Sequence, residues 1–273
     1  MSSVCIAVAS GKGGVGKSAL TANLGAALTL YGKRVLIIDT DIGLRSQDAL
    51  LALENQVVYD LIDLTEGECV SGQAILSCEA FPALHLLPAA QFSRVKALEP
   101  KRFRIILDSL RNSYDYILID CPAGIERGLR NVLNTGVDEL ILVTTPDDIS
   151  LRSVERARQL AGNKSIEDIR LIVNRLDECL IRAGEMMSAI TASQLIDLPL
   201  LGEIPEDPAV YRAVFSHRLF LEFDCPARTA VMHIASRLTG LNVPFPLIGA
   251  GKRTFFRRNR YKPLREVIPL DDH

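Results

Sequence analysis

From residue 11 to residue 18 the chain reads Gly11-Lys12-Gly13-Gly14-Val15-Gly16-Lys17-Ser18. This stretch satisfies the pattern G-x-x-x-x-G-K-[ST], and it lies between an apolar run and a helical pattern. In the order strand, glycine loop and helix, backbone N–H groups converge on phosphate oxygens, and the helix N-terminus adds partial positive charge. We therefore predict a phosphate-binding loop, in which Lys17 reaches the β- and γ-phosphates and Ser18 offers its hydroxyl to Mg²⁺.

Apolar runs that alternate with helical patterns predict the fold class. The strand candidates are Val4–Ala9, Val35–Asp39, Leu84–Pro88, Tyr116–Asp120, Glu139–Thr144, Ile169–Val173 and Leu200–Ile204. The helical stretches between and after them include Ser18–Leu30, Pro100–Ser113, Ser150–Ala161 and Pro226–Leu238. Strands that are apolar throughout are typical of parallel sheets covered by helices. We predict an α/β fold of the P-loop NTPase type, with a doubly wound, mostly parallel sheet, helices on both faces and ligands at the carboxyl ends of the strands.

Length and composition indicate the domain organisation. With 273 residues, of which 48% are hydrophobic and 23% charged, the chain is too apolar for a disordered protein. Glycine and proline interrupt the helical pattern after Leu238, so we predict a P-loop domain over residues 1–240 and a linker with a basic tail over residues 241–273. The sequence has no apolar run of the ~18 residues that cross a bilayer. It also lacks a signal-peptide pattern, so we expect neither an integral membrane protein nor a secreted one.

The cysteines argue against a metal-cluster enzyme. They are Cys5, Cys69, Cys78, Cys121, Cys179 and Cys225. They lie far apart, without a C-x-x-C pair or a Cys/His cluster of metal spacing, so we predict reduced, mostly structural thiols in a cytosolic protein. A metal-cluster P-loop enzyme needs closely placed ligands, although a cluster bridging two subunits stays open.

The net charge of −2 conceals an acidic body and a basic tail. Residues 252–265 contain seven basic residues and no acidic one. Aromatic residues are interleaved with them, a composition compatible with anionic lipid headgroups, with RNA or DNA, or with a solvated tail. The acidic body counts against non-specific binding to nucleic acid.

Two acidic segments follow apolar strands. They read Asp39-Thr40-Asp41-Ile42-Gly43 and Asp120-Cys121-Pro122-Ala123-Gly124. A P-loop protein places its Mg²⁺-side carboxylate at such a strand end, and a following glycine permits backbone contact with the γ-phosphate. An Asp in this position is also common as a helix cap or turn residue, but the phosphate loop upstream favours the metal role.

A third segment, Asn174-Arg175-Leu176-Asp177, predicts the base-reading element. The amide of Asn174 is suited to hydrogen-bond a purine edge. The four residues also resemble the N-K-x-D of GTPases, in which the Asp selects guanine, so the residues alone leave ATP and GTP open. Arg175 in place of Lys counts against GTP, and an ordinary turn is a further interpretation.

Lys12 narrows the class of P-loop protein. A lysine directly after the first glycine resembles the deviant Walker A loop of the MinD/ParA class of ATPases. In that class the extra lysine reaches across a nucleotide-sandwich dimer to the partner's phosphates. The segments Asp39–Arg45 and Asp120–Glu126 resemble the two switches of the MinD branch, and Thr145–Ser153 and Ile204–Asp207 resemble further segments. The match follows the order and spacing of the class over roughly residues 3–240.

The resemblance implies roles for the matching residues. It implies that Lys17 binds phosphates, that Lys12 acts in trans and that Asp41 positions the attacking water, which makes these three the catalytic residues. The implied Mg²⁺ site comprises Ser18, Asp41 and Asp120, and switch II includes Pro122 and Gly124. The implied nucleotide-binding residues are Gly11, Lys12, Gly13, Gly14, Val15, Gly16, Lys17, Ser18, Ala19, Asn174, Pro205, Glu206 and Asp207. The resemblance implies that Asn174 and the Pro205–Asp207 loop hold adenine, which favours ATP over GTP, so the implied cofactors are ATP and Mg²⁺.

The resemblance also implies a function. Members of the MinD branch are slow, partner-stimulated ATPases that dimerise with ATP and regulate septum placement. The expected partners are a second copy of the chain, a MinC-like inhibitor, a MinE-like or other activator and an anionic membrane surface. The expected location is the cytoplasm and, peripherally, the inner face of the cell membrane. The alternative is a ParA-like ATPase that positions cargo or binds DNA.

The membrane expectation depends on the tail. MinD proteins end in a short amphipathic helix, and the stretch with Phe255, Phe256, Arg257 and Arg258 begins in that style. These four residues are the predicted membrane contacts. The tail then departs from the class, because Pro263 stops a helix and the chain ends in acidic residues.

Overall fold

All strands described in the computed structural model belong to one sheet. The structure describes residues 3–91, 98–124, 127–162, 166, 168–246 and 248–249. In chain order the strands are β1 (Val4–Ala9), β2 (Val35–Asp39), β3 (Leu76–Ser77), β4 (Leu84–Leu87), β5 (Tyr116–Asp120), β6 (Glu139–Thr144), β7 (Asp168–Leu176) and β8 (Leu200–Pro205). Across the sheet they follow the order β3-β4-β2-β5-β1-β6-β7-β8, and only β3 and β4 pair antiparallel. The prediction of a doubly wound, mostly parallel sheet is confirmed.

Helices connect the strands and cover both faces of the sheet. They are α1 (Lys17–Leu30), α2 (Gln47–Leu50), α3 (Leu61–Glu66), α4 (Ser71–Ala74), α5 (Pro100–Leu110), α6 (Arg127–Leu133), α7 (Asp148–Gly162), α8 (Glu178–Ala183), α9 (Ala189–Ile196), α10 (Pro208–Phe215) and α11 (Pro226–Leu238). Short 3₁₀ helices span Glu54–Gln56, Arg111–Ser113 and Phe220–Glu222. In the part of the chain that the structure describes, no helix combines the length and apolarity needed to cross a membrane.

The strand predictions differ from the structure mainly at the ends. β1, β2, β5 and β6 have the predicted bounds, because their apolar runs stop where the sheet stops. β4 ends one residue early, before Pro88, which has no N–H to donate to a ladder. β7 is longer than predicted because the residues at both of its ends also pair, Asp168 with Glu139 and Leu176 with Pro205. β3 was not predicted, since two residues form no pattern and only the pairing with β4 defines them.

The core consists of two layers, one on each face of the sheet. Alternate residues of β1 divide between them, with Ile6 in one layer and Ala7 in the other. Helices α1 and α11 complete the first layer, and α5, α7 and α9 complete the second. Apolar residues on both faces of the central strands are therefore a consequence of helices on both sides.

The sheet brings the predicted site segments to one edge. β1 leads into the phosphate loop, and its neighbour β5 ends at Asp120. In the ladder of β2 and β5, Asp39 is the direct partner of Asp120. Because these strands are parallel, their carboxyl ends lie together, and the two acidic segments meet beside the loop.

The first residues of the predicted linker pack against the body. The guanidinium of Arg237 on α11 donates to the carbonyl oxygens of Val243, Leu201 and Pro244 at 2.9–3.0 Å. It also lies 4.0 Å from the ring centroid of Phe245. The division at residue 240 stays a prediction, and the basic residues 252–265 lie outside the described residues.

The contact between β8 and α11 generates a stability prediction. A Cβ atom on Gly202 would lie 2.2 Å from Cγ1 of the fully buried Ile234. We expect Gly202→Ala to lower the free energy of unfolding by about 1–3 kcal/mol, the usual cost of overpacking a core. Chemical denaturation of both proteins measures this difference.

Gly72→Ala is the matched control. A Cβ atom at Gly72 meets nothing within 4 Å, so this substitution should leave the unfolding free energy unchanged or raise it slightly. Equal stability of Gly202→Ala and wild type would contradict the packing argument.

Candidate nucleotide-binding site

The phosphate loop has a backbone that side chains at its glycines would disturb. Gly14 and Gly16 have positive φ angles of 81° and 88°, and Gly16 is the N-cap residue of α1. A Cβ atom at Gly11 would lie 2.3 Å from Cβ of Ser153, and one at Gly16 would lie 2.6 Å from Nδ2 of Asn174. The glycine pattern therefore reflects both conformation and close approach.

Lys17 lies at the first position of α1, and its side chain extends to the carboxyl end of β5. Its side chain is only 6% exposed, and its ammonium pairs with Oδ1 of the fully buried Asp120. The same Nζ lies 3.2 Å from the hydroxyl oxygen of Ser18. The cation thus occupies the space between the hydroxyl and the carboxylate that are predicted to face Mg²⁺.

Asp120 has further partners on three sides. Its Oδ2 accepts a hydrogen bond of 2.7 Å from the amide of Gln47, and its Oδ1 accepts one of 3.4 Å from the hydroxyl of Thr21. Its backbone carbonyl accepts from the hydroxyl of Thr40 at 2.8 Å. The carboxylate is therefore held in one orientation.

The residues present fit Mg²⁺ shared with a nucleotide. The hydroxyl of Ser18 and the carboxylate of Asp120 lie on either side of the Lys17 ammonium. Both supply oxygen atoms, which are the ligands that a hard cation such as Mg²⁺ prefers. Among the described residues, no group of three or more His, Cys, Asp or Glu side chains is placed to hold a metal by itself. This agrees with Mg²⁺ in P-loop sites, which is bound through one or two protein groups and the phosphates.

Asp39 organises the loop after β2. Its carboxylate accepts hydrogen bonds of 2.9–3.0 Å from the backbone N–H groups of Asp41, Ser46 and Gln47. Burial, and then the charge of Asp120, raise its pKa to about 7. No separate role was predicted for Asp39 within its acidic segment. Its place between a strand and a turn is the available signal, since Asp in turns often accepts from the next backbone amides.

Asp41 lies at the start of the same loop and is partly buried. Burial raises its pKa, and the positive charge of Lys17 opposes that rise. A partly exposed carboxylate near Lys17 is a suitable place for a group that contacts water. Its predicted catalytic and metal roles remain predictions.

Lys12 lies on the exposed outer side of the loop. It lines a cavity of about 340 Å³ together with Thr145, Asp147 and Arg175. Burial acts to raise the pKa of Asp147, but hydrogen bonds from Thr145 and Ser150 and the charge of Lys12 bring it below its ordinary value. An anionic carboxylate therefore faces the side on which Lys12 is exposed.

A second cavity, of about 280 Å³, has the composition of a base pocket. Its lining includes Gly16, Ala19, Asn174, Pro205 and Glu206. The structure thus brings the predicted base-reading residues together beside the start of α1. Arg175 lines both this cavity and the one beside Lys12, with a φ of 61°. No binding role was predicted for Arg175.

Two of the predicted base contacts, Asp207 and Asn174, form hydrogen bonds within the protein. The carboxylate of Asp207 accepts from the backbone N–H groups of Ala209 at 2.8 Å and Ala227 at 3.0 Å, so it caps α10 and ties it to α11. The amide of Asn174 donates to the carbonyl of Val15 at 2.8 Å. In this structure Asn174 therefore holds the phosphate loop, and Asp207 supports the pocket wall.

Asp177 is a helix cap. Its Oδ1 accepts from the backbone N–H groups of Cys179 at 2.8 Å and Leu180 at 3.0 Å. It does not belong to the lining of the base cavity. This position argues against the guanine-selecting interpretation of residues 174–177, because the carboxylate that would select guanine is directed at α8.

The first residues of the predicted switch II lie beside the start of the phosphate loop. Gly124 has a φ of 90°, and its N–H donates to the carbonyl of Ser10 at 3.2 Å. A Cβ atom at Gly128 would lie 2.6 Å from Cγ of Pro122. Ile125 and Glu126 lie outside the described residues, as do the predicted membrane contacts Phe255, Phe256, Arg257 and Arg258.

Comparisons with known proteins agree with this geometry. The family described as "ParA: NUBPL iron-transfer P-loop NTPase" matches residues 2–239. The septum site-determining protein MinD of Bacillus subtilis is 40% identical over 247 residues, which are 89% of this chain and 91% of that protein. The MinD of Synechocystis is 40% identical over 262 residues, covering 95% of this chain and 98% of the relative.

Two of the solved structures to which the chain is similar also contain MinD proteins. The MinC:MinD cell division protein complex of Aquifex aeolicus includes a chain with a TM-score of 0.83 and 35% identity, covering 89% of this chain and 98% of that chain. MinD of Pyrococcus horikoshii, complexed with Mg-ADP, has a TM-score of 0.76 and 30% identity, covering 86% and 96%.

The thiols allow a test of the cysteine interpretation. All six cysteines are free, and only Cys179 is exposed. Burial raises the pKa of the Cys5 thiol to about 12. Because the thiolate is the reactive form, we expect one rapidly reacting thiol in the native protein and six after denaturation, measured with a chromogenic disulfide reagent.

Cys179→Ser provides the control, because it should remove the rapid phase and leave the denatured count at five. Two or more rapid thiols in the native protein would contradict this interpretation and would favour the closely placed cysteines that a metal-cluster enzyme needs.

Proposed function

Since the chain belongs to the MinD family within the ParA-type P-loop NTPases, we propose that it is a slow, partner-stimulated ATPase switch. It binds ATP with Mg²⁺, dimerises in that state, associates with the inner membrane face and regulates placement of the division septum. The observation that carries the proposal is the exposed Lys12 on a loop whose other lysine, Lys17, is buried beside Asp120.

The two lysines have separate tasks in this proposal. Lys17 leaves Asp120 and binds the β- and γ-phosphates, which compensate its charge in place of the carboxylate. Asp120 and Ser18 would then hold Mg²⁺, which would supply positive charge to the phosphates. Lys12, which is exposed, reaches the phosphates of the partner subunit in this proposal and neutralises charge that develops there during phosphoryl transfer. Hydrolysis is consequently coupled to dimerisation.

The remaining site residues position water and base. Asp41, partly buried and close to Lys17, orients the attacking water. The cavity beside Ala19, Asn174, Pro205 and Glu206 holds the adenine, and Asp207 supports its wall as the cap of α10. Pro122 and Gly124 place the switch II backbone near the γ-phosphate. None of the described site residues is assigned as a strong general base in this proposal, which suits slow turnover that a partner stimulates.

Partners follow from the family. A MinC-type inhibitor is the proposed downstream partner, supported by the MinC:MinD complex of the Aquifex relative. The activator is MinE-like or another protein of that role. The cytoplasmic protein reaches the membrane peripherally through its basic tail.

The alternative is a ParA-like ATPase that positions cargo or binds DNA. A ParA family ATPase from Chlorobium tepidum has a TM-score of 0.70 and 26% identity, so the fold suits both functions. The basic tail is the feature that would contact DNA, but the acidic body would repel it. The relatives named as MinD, at about 40% identity, favour the septum function.

Lys12→Ala tests the catalytic proposal. We expect it to lower ATP turnover by about 10³-fold, the lower range for a charge supplied in trans to phosphoryl transfer, while ADP binding is retained. Phosphate release should be measured over a range of protein concentrations, because wild-type turnover per subunit should rise as dimers form.

Lys101→Ala is the matched control, since Lys101 is exposed on α5. It should hydrolyse ATP as wild type does. Equal turnover of Lys12→Ala and wild type at every protein concentration would refute the trans mechanism.

Sedimentation with liposomes tests membrane association. The full chain and a truncation ending at Ala250 should be compared with ATP, ADP and no nucleotide, on anionic and neutral vesicles. We expect only the full chain with ATP to sediment with anionic vesicles, because two basic tails in a dimer bind with avidity.

The other outcomes separate the alternatives. Lack of sedimentation in every state would remove the membrane step. A strong, salt-dependent mobility shift of DNA that requires ATP and the tail would replace it with the ParA-like function.

A further inference from the structure

Gln47 is a fully buried amide at the start of α2, and none of the roles above uses it. Its Nε2 lies 2.7 Å from Oδ2 of Asp120 and 3.0 Å from the carbonyl oxygen of Ser18. Its backbone N–H donates to Asp39 at 3.0 Å. One residue therefore joins the end of β5, the first turn of α1 and the loop after β2.

The hydrogen-bond partners determine how this amide is oriented. A carboxylate oxygen and a carbonyl oxygen both accept, so the NH₂ group of Gln47 must face them. The opposite orientation would place Oε1 against Asp120, with acceptor facing acceptor. Oε1 is buried and has no hydrogen-bond partner among the described residues. Since buried acceptors are normally satisfied, this oxygen has the capacity to accept from one further donor, such as a metal-bound water.

The two oxygens of Asp120 have different partners. Oδ1 pairs with Lys17, whereas Oδ2 is bound by Gln47. When Lys17 moves to the phosphates, Oδ1 loses its cation, but the bond between Oδ2 and Gln47 can persist. The terminal torsion of an Asp side chain is soft, so a carboxylate without a fixed partner rotates easily. The bond from Gln47 prevents that rotation.

We propose that Gln47 is a positioning residue of the Mg²⁺ site, which holds Oδ2 of Asp120 so that Oδ1 stays directed at the metal. This inference rests on the proposed function, in which Asp120 and Ser18 face Mg²⁺. Groups that orient a metal ligand typically contribute 10–100-fold to metal affinity. Gln47 also connects the loop after β2 to the metal site, so a change in that loop is felt at Asp120.

Gln47→Met tests the proposal, because methionine has a similar length and volume but cannot donate a hydrogen bond. The first measurement is the affinity for fluorescently labelled ADP in EDTA. The second is a titration with Mg²⁺, which gives the Mg²⁺ concentration at half of the metal-dependent increase in ADP affinity. We expect Gln47→Met to raise that concentration by about 10–100-fold and to leave the affinity in EDTA unchanged.

Two further variants separate positioning from stability. Gly202→Ala, which we expect to destabilise the fold away from Asp120, should keep the wild-type Mg²⁺ response. Gln47→Asn retains the amide but is one methylene shorter, so it cannot reach Asp120 and Ser18 together. It should also weaken the Mg²⁺ response, and it carries the test if Gln47→Met does not fold.

The possible results distinguish this inference from the function on which it rests. Wild-type protein that binds ADP without any response to Mg²⁺, or does not bind ADP, would overturn the proposed function and this inference with it. A wild-type Mg²⁺ response in a folded Gln47→Met protein would overturn the inference alone. An equal loss of affinity with and without Mg²⁺, or loss of folding in both Gln47 variants, would also overturn it and make Gln47 a structural residue.

Discussion

A buried ion pair between Lys17 and Asp120 connects the two halves of the candidate site. Lys17 begins the helix after the phosphate loop, and Asp120 ends the strand beside it. With 6% and 0% exposure, neither charge is hydrated well enough to stand without the other. Removing one partner of such a pair generally costs about 3–5 kcal/mol, because the remaining charge is buried and uncompensated. The loop, the central strands and the segment after β2 are therefore arranged around one compensated charge.

The same constraint gives a physical basis for a switch. In the proposed function a phosphate group takes Lys17 from Asp120, which leaves the buried carboxylate without its cation. Mg²⁺ bound with the nucleotide would compensate for that loss, because it brings positive charge to the oxygens that Lys17 leaves. In the proposed function Lys17 therefore has two alternative partners, Asp120 when the site is empty and the phosphates when nucleotide and Mg²⁺ are bound. Asp39 accepts a hydrogen bond from the backbone N–H of Ser46 in the loop after β2. Gln47, which follows Ser46, binds Asp120 and so connects this loop to the partner of Lys17.

Two cavities flank the candidate site. The base cavity lies between the start of α1, the ends of β7 and β8, and α10. Lys12 and the anionic Asp147 line the other cavity, and Arg175 belongs to both. A subunit that binds at the second cavity would thus contact a residue that also lines the base pocket. In the proposed function, this arrangement would make dimerisation and nucleotide binding depend on each other.

Local sequence patterns by themselves determined the phosphate loop, the fold class and most strands. Glycines with positive φ, a lysine at the helix start and fully apolar runs each act within a few residues, so the sequence displays them directly. Tertiary structure decided which polar side chains meet. Asp177 and Asp207 became helix caps, and Gln47 became a partner of Asp120, 73 residues away. The physical reason is that the partner of a buried polar group is set by strand order and register, which no short stretch of sequence contains.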